Sequence, residues 1–358
     1  MVCYVASTIT GGWLADRWGR ARSAATGNAL SLVGCALALS TTDPDTAMLA
    51  TWLVVGGAAM FFPGCAGLFS DAEAAAGAKP MALHVKLSGY NLGWSSGAFV
   101  GFGVALLIAA RPLQVGYIVM TAAFLLAGSQ MLRFWSLPPL PPAPVGDRSA
   151  HPAIPWLVVM YRLNVALGAG IGMSLIGMLD QVLREHVSGE AAVTVSRIVL
   201  SSYAASYLVM FVVLGRWSGW ILRPWRMLVL QSGLIVGPLL LLWLATSQRH
   251  EPALLAIVGS LTGLGFGVAF TASLYYSLRS PDRASRAASL HEASVGCGNI
   301  VGPLIGSVAI WLCTAHLGAD RLTGLAAGCC LMAALALVVQ LLLIPRAVGA
   351  GAGRPYGA

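Results

Sequence analysis

Two side chains able to carry charge stand inside long apolar runs. Arg162 interrupts "VVMYRLNVALGAG", and Glu292, beside His291, interrupts "LHEASVGCGNIVG". A carboxylate withdrawn from water is a place where a proton can be gained and lost, although near a helix start the same residue can simply act as a cap. An arginine at that depth offers an anion site, or its guanidinium snorkels back to the nearer membrane surface. Both alternatives stay open for both residues. Spacing excludes other chemistry. The His291–Glu292 pair lacks the second histidine of a zinc-protease helix, because Val295 stands in its place. "GAGIG" from Gly168 and "GLGFG" from Gly263 lie within apolar runs and follow no strand, so they suit close helix packing rather than a dinucleotide phosphate. The seven cysteines contain no C-x-x-C pair and fall mostly inside apolar runs, as small buried residues do. Neither a metal nor a cofactor is expected.

The densest charge lies elsewhere, in "GGWLADRWGRAR" from Gly11 to Arg22, directly after the apolar run that opens the chain. The elements that hold this stretch follow from composition: 58% hydrophobic residues, 9% charged and a mean hydropathy of +0.79. Soluble domains carry about 25% charged residues, so this is a chain for the lipid bilayer. Apolar runs occupy roughly 1–14, 22–41, 46–70, 88–110, 113–135, 154–178, 192–215, 225–245, 252–278, 288–313 and 322–344. Ten are long enough to cross a bilayer as helices of ~20 residues, and the first is short for that. They are continuous rather than alternating with period two, which excludes a closed β-barrel. With Asp16 on the cytoplasmic side, fifteen of the 21 Lys and Arg residues share that side and five the other, leaving Arg162 within a span. The net charge of +8 is then a positive-inside bias, and no nucleic acid is implied.

One long connection, "SLPPLPPAPVGDRSAHPAIP", is too rich in proline for a helix and reads as a solvated linker. It predicts an N-terminal bundle at 1–135, a cytoplasmic linker at 136–153, a C-terminal bundle at 154–345 and a cytoplasmic tail at 346–358. The halves repeat each other. "GYNLGWSSGAFVG" aligns with "LHEASVGCGNIVG" at an offset of 201, pairing Gly97 with Gly298 and Gly101 with Gly302. "GGWLADRWGR" aligns with "LGRWSGWILR" at about 203, pairing Gly12 with Gly215 and Arg20 with Arg223. Two matches at nearly one offset indicate a duplicated bundle.

With those features in place, "GGWLADRWGRAR" reads as a cytoplasmic loop between two helices and resembles the signature loop between helices 2 and 3 of the major facilitator superfamily, roughly G-x-L-a-D-r-x-G-r-r/k. Gly12, Leu14, Asp16, Arg17, Gly19, Arg20 and Arg22 match it. The resemblance implies an all-α polytopic fold of two pseudo-symmetric bundles around a central cavity. It also implies a monomeric secondary transporter, not an enzyme, that moves a small solute across the cytoplasmic membrane by alternating access. The spans would be family helices 2 to 12, so the family's first helix is expected ahead of Met1. In such a fold the motif acts as a gate, with Asp16 facing a helix N-terminus from the other half and the arginines pairing with acids at the end of helix 4, here Asp71 and Glu73. A plain positive-inside anchor is the alternative. A non-transporting sensor or assembly partner, or an inactive truncated fragment, is the competing reading of the whole chain.

Family position adds cavity candidates: Tyr90, Asn91 and Trp94 in helix 5, Arg162 in helix 7, Tyr275 and Tyr276 in helix 10, and His291 and Glu292 in helix 11. Trp52, Phe61, Tyr203, Tyr207 and Phe270 are further aromatic candidates, each equally able to serve in an interfacial belt. Protons are the coupling ion that Glu292 suggests. The glycine-proline motif of drug antiporters is incomplete, since Phe102 follows Gly101, whereas Pro303 follows Gly302 in the repeat. The substrate stays open.

Overall fold

The computed structural model of the chain describes residues 1–75, 82–108, 113–134, 153–279 and 284–351. Its elements are all helices: α1 (Val2–Trp18), α2 (Arg20–Ser40), α3 (Pro44–Ala75), α4 (Ala82–Ile108), α5 (Leu113–Phe134), α6 (Ile154–Leu183), α7 (Gly189–Arg216), α8 (Pro224–Leu230), α9 (Gly233–Thr246), α10 (Pro252–Leu278), α11 (Ala284–Leu317) and α12 (Arg321–Gly351). They follow the eleven apolar runs, with α8 and α9 as two parts of one run broken at Gln231 and Ser232. Among the described residues nine helical segments are long and apolar enough to cross a membrane, α8 and α9 counting as one. Helices satisfy every backbone group within the segment, which lipid requires. Pro63, Pro238, Pro303 and Pro345 lie inside helices, a position that membrane surroundings tolerate better than water does.

The charged stretch is not a loop. The first helix runs on past Leu14, through Asp16 and Arg17, and stops at Trp18; the second begins at Arg20. Gly19 alone separates them, with φ at 101°. That backbone is open to glycine and strained for any residue with a Cβ. The linker expected at 136–153 lies outside the described residues except for Ala153, as does the tail beyond Gly351, whereas Ile154 and Pro155, the last residues of the proline-rich stretch, open α6, where proline in the first turn is tolerated.

The helices form two compact units. The first comprises Met1–Leu83, Gly97–Ala150 and Ser277–Ala293; the second comprises His84–Ser96, His151–Tyr276 and Ser294–Ala358. Each unit is thus completed by a short helical segment from the other half of the sequence. The first part of α4 belongs with α6 to α12, and the start of α11 belongs with α1 to α3 and α5.

Within the first unit the helices approach through small residues. Gly27 of α2 meets the backbone of Gly57 in α3, and Gly34 lies against Ala50 and Val54. Ser31 donates to the Val54 carbonyl at 3.0 Å, and Ser23 to the Gly11 carbonyl at 2.9 Å. Lipid tails are as apolar as leucine, so association here rests on close backbone contact and such interhelical hydrogen bonds. The second unit repeats the device. Gly259 and Gly263 of α10 lie on the backbone of Val199 and Tyr203 in α7, and Gly298 and Gly302 of α11 on Ala166 and Gly170 in α6. Three buried amides cross-link α6, the α8–α9 break and α12: the Asn164 and Gln340 amides both donate to Gln231 Oε1, at 3.3 and 2.6 Å.

Candidate gate and translocation site

Helix α1 presents Gly12 and Leu14 to the interior of the first unit, and Gly12 is bare for a reason. A Cβ there would overlap the Ser289 side chain of α11 and stand 2.9 Å from the Ser285 carbonyl oxygen. Two turns earlier, the Tyr4 hydroxyl donates to Glu292 Oε2 at 2.7 Å. As the numbers rise along α1 they fall along α11, so the two helices run antiparallel. One turn past Gly12, about 5.4 Å along the axis, this register brings Asp16 level with the first turn of α11, which starts at Ala284. A helix N-terminus carries partial positive charge, and a carboxylate is the group that stabilises it.

Arg20 opens α2 and donates from Nη1 to the carbonyl oxygen of Gly67 in α3. A Cβ on Gly67 would lie 2.8 Å from Arg20 Cδ and 2.5 Å from Ser285 Oγ. The α1–α2 turn, the end of α3 and the start of α11 therefore converge on one spot. Position 71 is one turn further along α3 from Gly67. The side chains of Asp71 and Glu73 fall outside the described residues. Arg17 leaves this convergence and lies over the Trp13 ring at 5.1 Å, and Arg22 is exposed.

The second unit contains a matching arrangement. A Cβ on Gly215, near the end of α7, would overlap the Ser88 side chain of α4, and Ser88 Oγ donates to the Phe211 carbonyl at 2.6 Å. The repeat offset that pairs Gly12 with Gly215 also pairs Tyr4 with Tyr207, and the offset of 201 pairs Ser88 with Ser289. Neither serine was among the expected site residues. The same arithmetic pairs Asn91 with Glu292 and Tyr90 with His291.

Beyond Ser88 on α4, Asn91 is fully buried and its Nδ2 lies 3.4 Å from Thr271 Oγ1 of α10. Trp94 follows at the next turn, with ring centroids 5.1 Å from Phe270, 5.9 Å from Phe211 and 6.0 Å from Tyr207. Tyr203 and Phe266 extend this aromatic group. Other candidates stand apart from it. Tyr276 stacks on Tyr161 at 5.4 Å, accepts the Leu222 amide at 2.8 Å and, with Tyr275, surrounds the buried Trp220 beneath the α7–α8 turn. Arg162 is half-buried, Trp52 is exposed, and His291 is buried beside Glu292. Among the described residues Glu292 is the sole buried acid, and no group of three or more His, Cys, Asp or Glu could hold a metal ion.

At the opposite end of α7, outside the spans, the loops of the second unit meet. His186 stacks on His250 at 4.4 Å, and Asp320 accepts from the Thr323 amide at 2.7 Å and from Gln248 Nε2 at 2.9 Å. Burial, with His186 alongside, holds the His250 imidazole below its ordinary pKa.

A family model described as the Major Facilitator Superfamily matches residues 1–303 of this arrangement. The chain belongs to that superfamily. It is accordingly a multi-pass membrane transporter rather than an enzyme, and the resemblance carried by Gly12 to Arg22 extends over most of its length. A comparison with curated proteins finds no match. Solved structures do share the fold. The superfamily transporter FucP in an outward conformation superposes with a TM-score of 0.70 at 16% identity, over 95% of this chain and 86% of that one. A variant of the E. coli fucose:proton symporter FucP gives 0.67 at 14% identity, over 94% and 87%. The human organic anion transporter MFSD10 (TETRAN) gives 0.62 at 14% identity, over 95% and 80%. At such identities the likeness is one of fold.

Proposed function

We propose that this superfamily member is a secondary carrier of the cytoplasmic membrane, moving a small solute by alternating access and coupled to protons through Glu292. The observation that carries the reading is the Tyr4–Glu292 hydrogen bond, which joins residues 288 positions apart at 2.7 Å. It ties a helix of the first sequence half to one of the second through the one buried acid among the described residues, at a place where the repeat has an amide, Asn91. A carrier whose halves separate in one state and meet in the other needs contacts of this kind, present in only one of the two.

In this reading the Asp16 side is cytoplasmic, as the charge bias requires. Bundles at 1–135 and 154–345 flank a cytoplasmic linker, and the Gly12–Ser289 and Gly215–Ser88 pairs close the cytoplasmic gate. Asp16 at the α11 N-terminus and Arg20 at the end of α3 latch it. Ionised Glu292 accepts the tyrosine hydroxyl in the closed gate; protonation weakens that charge-assisted bond and releases α11. The fucose:proton symporter among the structural relatives makes proton coupling a natural expectation here.

The test needs no substrate. A reporter cysteine replaces Ser95, a buried residue whose hydroxyl bonds only to its own helix, in protein whose native cysteines have been removed. Its alkylation rate, divided at each pH by that of the same cysteine in the denatured protein so that the falling thiolate fraction cancels, should rise with acidity, and Glu292→Gln should abolish that dependence. A normalised pH profile that persists in Glu292→Gln would take the proton role away from this residue.

A further inference from the structure

We infer that the α4 face bearing Asn91 and Trp94 is a binding subsite for a neutral, hydroxyl-bearing solute with a flat apolar face. The inference rests on the carrier reading above and names its substrate class. Asn91 and Trp94 are three residues apart in one helix, so their side chains share a face. Asn91 is 0% exposed; its Nδ2 faces Thr271, while its Oδ1 has no hydrogen-bond partner. Trp94 Nε1 is likewise buried and without a partner. One turn of α4 therefore carries an idle acceptor and an idle donor three residues apart on one helix face. Buried polar groups are rarely left so, because each forfeits the hydrogen bonds it had in water.

A hydroxyl is the simplest group that answers both, donating to Asn91 Oδ1 and accepting from Trp94 Nε1. The surroundings define the rest of the solute. The Trp94 ring has Phe270, Phe211 and Tyr207 within 6.0 Å between centroids, which suits a ligand with a C–H face to lay on an aromatic one. None of these neighbours is ionised, and Thr271, the polar partner of Asn91, is neutral too. An anionic or cationic solute would lose its hydration here with no counter-charge from these described neighbours, at a heavy penalty. A neutral ring bearing hydroxyl groups loses far less.

The position fits a subsite that is read and then covered. Asn91 and Trp94 lie one and two turns beyond Ser88, the residue clamped on Gly215. A solute on this face would therefore be sensed by the same helix that closes the gate.

The experiment is equilibrium binding by the full-length purified protein, with three labelled probes: a neutral hexose, an aliphatic carboxylate and a tetraalkylammonium ion. The hexose should bind. Trp94→Phe keeps the ring and removes the N–H, and should weaken binding about tenfold, the effect of one hydrogen bond of ~1.4 kcal/mol. Asn91→Leu should weaken it at least as much. Binding of the carboxylate or the ammonium ion in preference to the hexose overturns the inference while leaving the carrier reading intact. Hexose binding that Trp94→Phe and Asn91→Leu both leave unchanged overturns it equally, since the solute then sits elsewhere. The carrier reading stands or falls separately, on the substrate-free labelling of Ser95→Cys.

Discussion

Ser88 lies against Gly215 as Ser289 lies against Gly12, and the repeat offsets of 201 and 203 carry one pair onto the other. The duplication thus preserves a mechanical detail as well as a helix order. Each pair sets a serine of a helix in one sequence half on a glycine of a helix in the other half, with no room between them. Two backbones approach this closely only where one residue lacks a Cβ.

Valine at position 12 or 215 should therefore hold the two helices of the proposed gate apart. Its methyl groups would meet the serine of the opposing helix and, at position 12, a backbone carbonyl that cannot swing away. Expression and membrane insertion should be unchanged, and alkylation of Ser95→Cys should quicken in either variant. Labelling no faster than in the parent protein would mean that these glycines serve packing in both states.

Glycines inside one half should respond through stability instead. Gly302 abuts the backbone of Gly170, so Gly302→Ala overpacks the α6–α11 crossing and should destabilise by about 1–3 kcal/mol. Gly177 is a helical glycine with no atom within 4 Å of an added Cβ. Gly177→Ala should stabilise by roughly 0.5–1 kcal/mol. Thermal unfolding in one detergent compares the two, and equal melting temperatures would contradict the assigned packing.

The clustered loops of the second unit predict acid sensitivity. His250 is held below its ordinary value of 6.5 by burial and by the adjacent His186. The unfolded chain therefore takes up this proton first, so His250 contributes stability above about 6.5 that is lost as pH falls through its folded value. Asp320 acts in the same direction at lower pH. Burial pushes it up, but the Thr323 and Gln248 hydrogen bonds and His186 together hold it below 3.8. The melting temperature should decline between about pH 7 and about pH 5, and His250→Phe, which keeps a stacked ring and cannot protonate, should flatten the decline. An undiminished slope in His250→Phe would place the sensitivity elsewhere.

How much of this was legible in the sequence depended on which signals are periodic or local. Fold class follows from continuous apolar runs, and the motif at Gly12 to Arg22 names its own glycines and charges; the span count matches less well, since ten runs read as long enough to cross a bilayer and nine helical segments among the described residues qualify, α4 not among them. The break at Gly19 was harder to place, because charged residues read as loop although helix propensity does not forbid them; the backbone turns at one residue and stays helical on both sides. Tyr4, Ser88 and Ser289 were missed because small or aromatic residues in apolar runs look like packing. Extending the two repeat alignments outward pairs Tyr4 with Tyr207 and Ser88 with Ser289, and would have drawn attention to them. Tyr275 and Tyr276 were named from helix number, and the rings they pack on, Trp220 and Tyr161, lie far away in sequence. The break between α8 and α9 was marked only by the short polar and glycine stretch of Gln231, Ser232 and Gly233 in an apolar run, and its three-amide junction depends on helices that only the fold brings together.

The central claim is that the Asp16 motif latches a gate, and the most direct measurement is alkylation of Ser95→Cys in Asp16→Asn and Arg20→Gln. Removing the charge at the α11 N-terminus, or the Arg20 bond to Gly67, should shift the closed state toward the open one without unfolding it. Coupling of about 1–3 kcal/mol corresponds to a labelling increase of about 5- to 150-fold. Arg17→Gln, whose arginine lies over Trp13 outside the convergence, should leave the rate within about twofold, since surface substitutions change such balances by about 0.5 kcal/mol or less. Labelling that stays at the parent rate in both Asp16→Asn and Arg20→Gln would contradict the account and reduce the motif to a topology signal.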